Sequence, residues 1–87
     1  MSAAALELTV YSRRACHLCD LMMAGLRRLQ SEFAFDVTVI DIDTDATLRA
    51  RYDHDVPVLA HGERELCRHR LDTAMLGAYL ARCGKIR

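Results

Sequence analysis

The positions of apolar residues along the chain predict alternating strands and helices. Residues from Leu6 to Tyr11 alternate between apolar and polar, which predicts a strand. A helix is predicted to follow over about Cys16 to Ser31, because its apolar residues recur at helical spacing on one face. These apolar residues are Leu18, Leu21, Met22, Leu26 and Leu29. Gly25 lies among them, and since glycine costs a helix about 1 kcal/mol relative to alanine, we expect close packing there.

The middle of the chain predicts two more strands, a short helix and a hairpin. Val37 to Ile42 is rich in β-branched residues and predicts a buried strand. Acidic residues follow it and are suited to capping a helix of about Asp45 to Tyr52. Val56 to Leu59 predicts a third strand, which the turn at His61-Gly62 joins to a fourth, Arg64 to His69.

The last helix is predicted to begin after Asp72 as its N-cap, with Leu71 and Leu76 spaced for a hydrophobic staple. Gly84 suits the position just beyond its end. The predicted buried stripe of this helix is Met75, Leu76, Tyr79 and Leu80. The order is therefore β-α-β-α-β-β-α, in which the first two strands pair in parallel and the last two form an antiparallel hairpin. We expect an α/β protein of the thioredoxin/glutaredoxin type, a four-stranded mixed sheet flanked by three helices.

Composition and charge narrow the function classes. The 87 residues predict a single domain, 1–87, with its core at about 6–82, and 52% hydrophobic residues argue against disorder. Twelve basic residues cancel twelve acidic ones, so neither nucleic acid nor a membrane surface is an expected partner. The longest apolar run is far shorter than the roughly 18 residues of a membrane helix, and Met1 to Ala5 carries no basic flank typical of an export signal. We expect a cytoplasmic monomer.

The candidate chemistry is that of cysteine. The chain has four cysteines, Cys16, Cys19, Cys67 and Cys83. Because cytosolic thiols are normally reduced, this pattern indicates catalysis or metal binding rather than structural disulfides. Cys16-His17-Leu18-Cys19 directly follows the first predicted strand and opens the first helix, a placement typical of redox-active pairs. One helical turn also matches the Cα separation of about 4.4–6.8 Å that a disulfide requires.

The two cysteines are predicted to have different roles. Cys16 would lie at a helix N-terminus, where free N–H groups and the helix dipole favour its thiolate, the nucleophilic form. Lowering the pKa of a thiol from about 8.5 to about 7 takes about 2 kcal/mol, which the dipole and one nearby cation can supply. The candidate cations are Arg13, Arg14 and His17. Cys19, inside the helix, is the predicted resolving thiol that attacks the mixed disulfide.

Two other interpretations of Cys16 and Cys19 are compatible with the sequence. They can be small buried hydrophobic residues, or they can hold a metal or an iron–sulfur cluster as a binding module. Cys67 and His69 are the other candidate ligand pair, since a spacing of two on a strand places them on one face. That spacing is not typical of zinc sites, so we expect no metal and no bound cofactor.

The chain resembles the glutaredoxin-like proteins of bacteria, which have a thioredoxin fold. The resemblance rests on residues 8–13, on the Cys16-His17-Leu18-Cys19-Asp20 segment, and on three later segments in the same order and spacing: Asp41-Ile42-Asp43, Val56-Pro57-Val58-Leu59 and Arg70-Leu71-Asp72. It implies that Pro57 is a cis-proline facing the active-site sulfur. It also implies that glutathione, as a candidate co-substrate, is held by Arg13, Val56 and Asp72. The chain differs from glutaredoxins in having His17-Leu18 between the cysteines and Asp55 before Val56.

The function predicted from the sequence is a thiol–disulfide oxidoreductase that uses Cys16 and Cys19. Its predicted partner is a disulfide-containing protein or glutathione. Two further side chains are candidates for supporting the site. His17 can stabilise the Cys16 thiolate or simply be solvated, and Tyr11, at the end of the first strand, can support the site or pack in the core.

Overall fold

The structure is a computed structural model that describes residues 6–87. The expectation that Met1 to Ala5 is not an export signal therefore concerns residues outside the described part. The observed order of elements is β-α-β-α-β-β-α, which confirms the predicted fold class. The elements are β1 (Leu6–Ser12), α1 (His17–Leu29), β2 (Phe35–Asp41), α2 (Ala46–Tyr52), β3 (Val58–His61), β4 (Arg64–Arg68) and α3 (Thr73–Arg82). None of the helices in residues 6–87 is long and apolar enough to cross a membrane.

The four strands form one mixed sheet in the order β2-β1-β3-β4. β1 pairs with β2 in parallel, from Leu6 opposite Phe35 to Ser12 opposite Asp41. β3 runs antiparallel to both β1 and β4, and the β3–β4 pairing has an irregularity between Leu59 and Ala60. This topology places the carboxyl end of β1, and therefore the start of α1, beside the beginning of β3.

The alternation of side chains along the strands divides the core into two clusters. The larger one joins β1 and β3 to α1 and α3, and its fully buried members are Leu8, Val10, Met22, Leu26, Leu59, Leu76 and Leu80. The smaller one consists of Ile42, Tyr52 and Val58, with Tyr11, Leu48 and Val56 packed against it. The larger cluster fixes the orientation of α1, which carries both cysteines of the pair.

Two predictions of burial were wrong. The strand predicted as buried over Val37 to Ile42 is β2, an edge strand in which Val39 is 50% exposed. Ile42 lies beyond β2, in a short 3-10 helix of residues 42–44. Leu21, predicted to belong to the buried face of α1, is 52% exposed. Because a helix turns about 100° per residue, Leu21 lies at the margin of a stripe centred on Met22.

The predicted ends of α3 are confirmed. Asp72 is the N-cap, and its carboxylate accepts a hydrogen bond of 2.9 Å from the N–H of Met75. At the other end Gly84 adopts a positive φ of 74°, and its N–H donates to the carbonyl of Ala81. The N–H of Lys85 donates to the carbonyl of Leu80, which completes a Schellman cap.

The predicted close packing at Gly25 is also confirmed. A Cβ atom built on Gly25 would lie 2.7 Å from Cδ2 of Leu71. The absence of a side chain on Gly25 therefore lets the segment before α3 lie directly against α1. This contact holds residues 69–72 next to the helix that carries the cysteine pair.

Candidate active site

Cys16 and Cys19 lie at the junction between the end of β1 and the beginning of α1. β1 ends at Ser12, Ala15 turns the chain with a positive φ of 51°, and Cys16 is the N-cap of α1 with φ −113° and ψ 105°. The two cysteines are joined by a disulfide, and their Cα atoms are 5.2 Å apart. One turn of helix therefore brings the two sulfurs together, as the spacing predicts.

The two sulfurs have different surroundings. Cys19 is 4% exposed, whereas Cys16 is only partly buried. The backbone N–H of Cys19 donates a hydrogen bond of 3.1 Å to Sγ of Cys16. In the reduced protein a donor at this position favours the charged form of the Cys16 sulfur, as does the positive end of the helix dipole. The geometry is thus suited to a reactive outer thiol and a buried inner one.

The family resemblance assigns Arg13 to glutathione binding. In the structure two carboxylates of the protein contact its guanidinium. Its guanidinium donates to Asp43 at 2.9 and 3.1 Å, to the Asp53 carboxylate at 2.9 Å and to the Asp53 carbonyl at 3.0 Å. These contacts tie the loop before Cys16 to the segments that precede and follow α2. They also raise the pKa of Arg13 and lower the pKa of Asp43, because each charge is stabilised by hydrogen bonds to the other. No residue near Arg13 in the sequence indicates these partners, which lie 30 and 40 residues away.

The segment before β3 contains Val56 and Pro57, joined by a cis peptide bond. Pro57 is buried and Val56 is partly buried against the smaller core cluster. The carbonyl of Pro57 accepts a hydrogen bond of 2.7 Å from the N–H of His69. This bond connects the start of β3 to the segment between β4 and α3.

The predicted pairing of Cys67 and His69 on one strand face was wrong. β4 ends at Arg68, and His69 turns the chain with a positive φ of 67°, so the two residues do not share a strand. Burial raises the pKa of Cys67, and a hydrogen bond from the backbone of Asp72 acts in the opposite direction. Within residues 6–87, no group of three or more His, Cys, Asp or Glu side chains is arranged to hold a metal ion.

The remaining predicted residues lie at different places around the pair. His17 is exposed and is the first residue of α1. The ring of Tyr11 stacks on that of Tyr52, with centroids 4.6 Å apart, and so contributes to the smaller core cluster. The carboxylate of Asp72 is used as the cap of α3. Among the described residues, no side-chain hydrogen bond joins any two of His17, Tyr11 and Asp72.

A groove beside the pair was not predicted from the sequence. It lies between α1 and residues 69–73 and has a volume of about 280 Å³. The residues that line it include Leu18, Leu21, Arg28 and Arg70. One feature of the sequence indicates this groove: α1 has more apolar residues than its buried face can hold. Leu21 lies too far round the helix from Met22 to be buried and is left at the surface.

The sequence and the fold of this chain are similar to those of known proteins. A family model described as a glutaredoxin-like domain (DUF836) matches residues 7–81. The chain belongs to this glutaredoxin-like family. The predicted resemblance is thereby confirmed over nearly the whole described chain.

Solved structures of similar proteins share the fold of this glutaredoxin-like domain. Protein Ne2328 from Nitrosomonas europaea is 41% identical with a TM-score of 0.79, and the match covers 92% of this chain and 96% of that one. Protein XcR50 from X. campestris is 36% identical with a TM-score of 0.71, covering 86% of this chain and 96% of that one. In sequence alone, the chain also matches protein Rv0508 of Mycobacterium tuberculosis. The two are 33% identical over 81 residues, which are 87% of this chain and 84% of that protein.

Proposed function

We propose that this glutaredoxin-like domain is a thiol–disulfide oxidoreductase, with Cys16 as the attacking thiol and Cys19 as the resolving thiol. The observation that carries the proposal is the placement of the pair at the start of α1. Cys16 is the N-cap, its sulfur accepts the N–H of Cys19 at 3.1 Å, and Cys19 is buried behind it. A family match to glutaredoxin-like domains supports the same chemistry.

The reaction proceeds in two exchanges. The Cys16 thiolate attacks one sulfur of a substrate disulfide, so a Cys16–substrate disulfide forms, the substrate S–S bond breaks and one substrate thiolate leaves. The Cys19 thiolate then attacks the Cys16 sulfur and releases the second substrate thiolate. The substrate gains two electrons and two protons, and the protein keeps the Cys16–Cys19 disulfide. The 5.2 Å between the two Cα atoms allows this second step within one helical turn.

The proposed substrate is a protein disulfide, with glutathione as the second candidate. Arg13 is one of three positions assigned to glutathione by resemblance, and its guanidinium already contacts Asp43 and Asp53. Asp55, which precedes Val56, forms an ion pair of 3.0 Å with Arg68, so this nearby cation is likewise engaged by a carboxylate of the protein. Both features favour a protein disulfide. Cys67 and Cys83 are free thiols, which fits our proposal that the protein works in the reducing cytoplasm, and we propose that it does so as a monomer.

Single-turnover reactions of cysteine variants test the proposal. The background protein carries Cys67→Ser and Cys83→Ser, so that only the pair reacts. The probe is a short peptide whose cysteine is linked through a disulfide to 5-thio-2-nitrobenzoate, which absorbs visible light when released. Samples are quenched with acid and the products are identified by intact mass.

The variants are expected to stop at different steps. The background protein passes through a peptide adduct and ends with the Cys16–Cys19 disulfide. Cys19→Ser keeps the peptide adduct on Cys16, and Cys16→Ser releases thionitrobenzoate at least about a hundredfold more slowly, since a buried, unactivated thiol remains. Equal rates for Cys16→Ser and Cys19→Ser would contradict the assigned roles.

A further inference from the structure

The groove beside the redox pair has an apolar floor. Leu18, Leu21 and Met22 of α1 form this floor, and Leu71 contributes from the segment before α3. Leu18 directly precedes Cys19 in α1, so one end of the groove is a single residue along the helix from the pair, and neither cysteine itself lines it. Leu21 keeps 52% of its surface exposed at this place. An exposed leucine in a groove that starts one residue from Cys19 offers a contact for an apolar side chain of a partner.

The rim of the groove is basic. Arg28, His69 and Arg70 line it, and the lining contains no acidic side chain. Within residues 6–87, neither Arg28 nor Arg70 forms an ion pair, whereas Arg13 and Arg68 each contact two carboxylates. The charges of Arg28 and Arg70 are therefore unpaired within residues 6–87 and available to a negatively charged ligand, whereas the ring of His69 lies 4.0 Å from the Asp55 carboxylate.

The length of the groove along α1 can be estimated from the residues that line it. Arg28 lies ten positions after Leu18 in α1, which corresponds to about 15 Å along the helix. An adjoining groove shares Gly25, Arg28 and Thr73 with the first and includes Glu32, so the basic stretch ends near Arg28. A fully extended tripeptide spans at most about 11 Å, and about five residues are needed to cover 15 Å. The distance from Leu18 to Arg28 thus exceeds that of an ordinary extended tripeptide and suits a segment of about five residues.

The wall opposite α1 is held in place by two contacts. Leu71 lies against Gly25, where a built Cβ atom would be 2.7 Å from Cδ2 of Leu71. The N–H of His69 donates to the carbonyl of Pro57 at 2.7 Å. The groove is therefore formed before a partner arrives, and binding does not need to order this segment.

We propose that this groove binds an acidic segment of a protein substrate, about five residues long, that carries an apolar side chain next to the reacting disulfide. The apolar side chain packs on Leu21, and carboxylates on either side of it meet Arg28 and Arg70. This inference rests on the proposed oxidoreductase function and names its substrate class.

Peptides that differ in charge alone test the groove. The reduced background protein, Cys67→Ser and Cys83→Ser, reacts in single turnover with three six-residue peptides linked by disulfide to 5-thio-2-nitrobenzoate. Each contains one leucine near its cysteine, flanked by glutamates, glutamines or lysines. We expect the glutamate peptide to react about tenfold faster than the lysine peptide, the order expected from two exposed ion pairs.

Matched variants locate the effect. Arg28→Glu with Arg70→Glu is expected to reverse the order of the peptides. Arg27→Glu with Arg82→Glu changes the net charge equally at exposed positions outside the groove, and is expected to keep the order. Leu21→Ala is expected to lower the reaction rate of the leucine peptide about threefold. The same substitution should have a smaller effect on a peptide in which alanine replaces that leucine.

The outcomes separate this inference from the function on which it rests. Equal rates for the three peptides would overturn the groove assignment and leave the oxidoreductase function standing. If oxidised glutathione reacts as fast as the glutamate peptide and is slowed equally by the Arg28/Arg70 reversal, the groove takes glutathione and the inference is overturned. If no peptide releases thionitrobenzoate, the proposed function fails and the inference fails with it.

Discussion

The guanidinium of Arg13 donates two hydrogen bonds to the carboxylate of Asp43, at 2.9 and 3.1 Å. This pair lowers the pKa of Asp43, mainly through the hydrogen bonds from Arg13. In the unfolded chain the Asp43 carboxyl titrates near its ordinary value of about 3.9. The charged carboxylate is therefore stabilised by folding, and the two residues join the loop before Cys16 to the segment after β2.

The first prediction concerns the pH dependence of stability. Because the folded pKa of Asp43 is the lower one, its contribution is fully present above about pH 4 and is lost as the pH falls through the folded pKa. Asp43→Asn is expected to lower the melting temperature at pH 7 and to approach the wild type as the pH falls below the folded pKa of Asp43. Asp36→Asn, exposed in β2 and without an ion pair in residues 6–87, is the control. A constant difference between Asp43→Asn and wild type down to pH 2 would contradict the pairing.

The second prediction compares two helical glycines. Replacing glycine by alanine in a helix gains about 1 kcal/mol. At Gly77 a new Cβ meets Phe33 at an ordinary 3.7 Å, so Gly77→Ala is expected to stabilise the protein by nearly that amount. At Gly25 the new Cβ forces Leu71 to move, so Gly25→Ala is expected to gain clearly less. Urea denaturation measures both, and an equal gain at the two positions would show that the Gly25–Leu71 contact is loose.

The third prediction compares two leucines of α1. Leu26 is fully buried in the larger core cluster, and Leu26→Ala is expected to cost about 2–5 kcal/mol in free energy of unfolding. Leu21 is 52% exposed, and Leu21→Ala is expected to cost less than about 1 kcal/mol. Chemical denaturation of the two variants gives both values. Similar losses would mean that Leu21 is part of the core and not of a surface groove.

The fourth prediction concerns the two cysteines outside the pair. Cys83 is exposed, whereas Cys67 is half-buried and burial raises the pKa of its thiol. In the oxidised protein we therefore expect iodoacetamide at pH 8 to alkylate Cys83 at least tenfold faster than Cys67. Peptide mapping after timed quenching gives the two rates. Faster alkylation at Cys67 would contradict the burial of its sulfur.

The sequence was sufficient to predict the parts of the fold that depend on local patterns. The order of elements follows from periodicity, and the ends of α3 follow from the types of residue at Asp72 and Gly84. The cysteine pair was found for the same reason, since its spacing and its position after a strand are local features. Each of these signals lies within a few residues of the structure that it specifies.

Features that depend on distant partners were not predicted. The apolar residues of β2 do not reveal that the strand lies at the edge of the sheet, which depends on the order of all four strands. Nothing near Arg13 indicates Asp43 or Asp53. The end of the chain was not predicted to take part in the fold either. The carbonyl of Lys85 accepts a hydrogen bond from the N–H of Ala34, and Ile86 forms an antiparallel β-bridge with Phe33, beyond the predicted end of the core.

The most direct measurement is a redox titration of the purified protein in glutathione buffers of graded potential. Samples are quenched with acid, alkylated and analysed by intact mass in the Cys67→Ser and Cys83→Ser background. We predict one two-electron step that links Cys16 to Cys19, with a midpoint between about −270 and −120 mV. If the two thiols instead remain reduced or become modified independently across this range, Cys16 and Cys19 are not a redox pair and the proposed function is wrong.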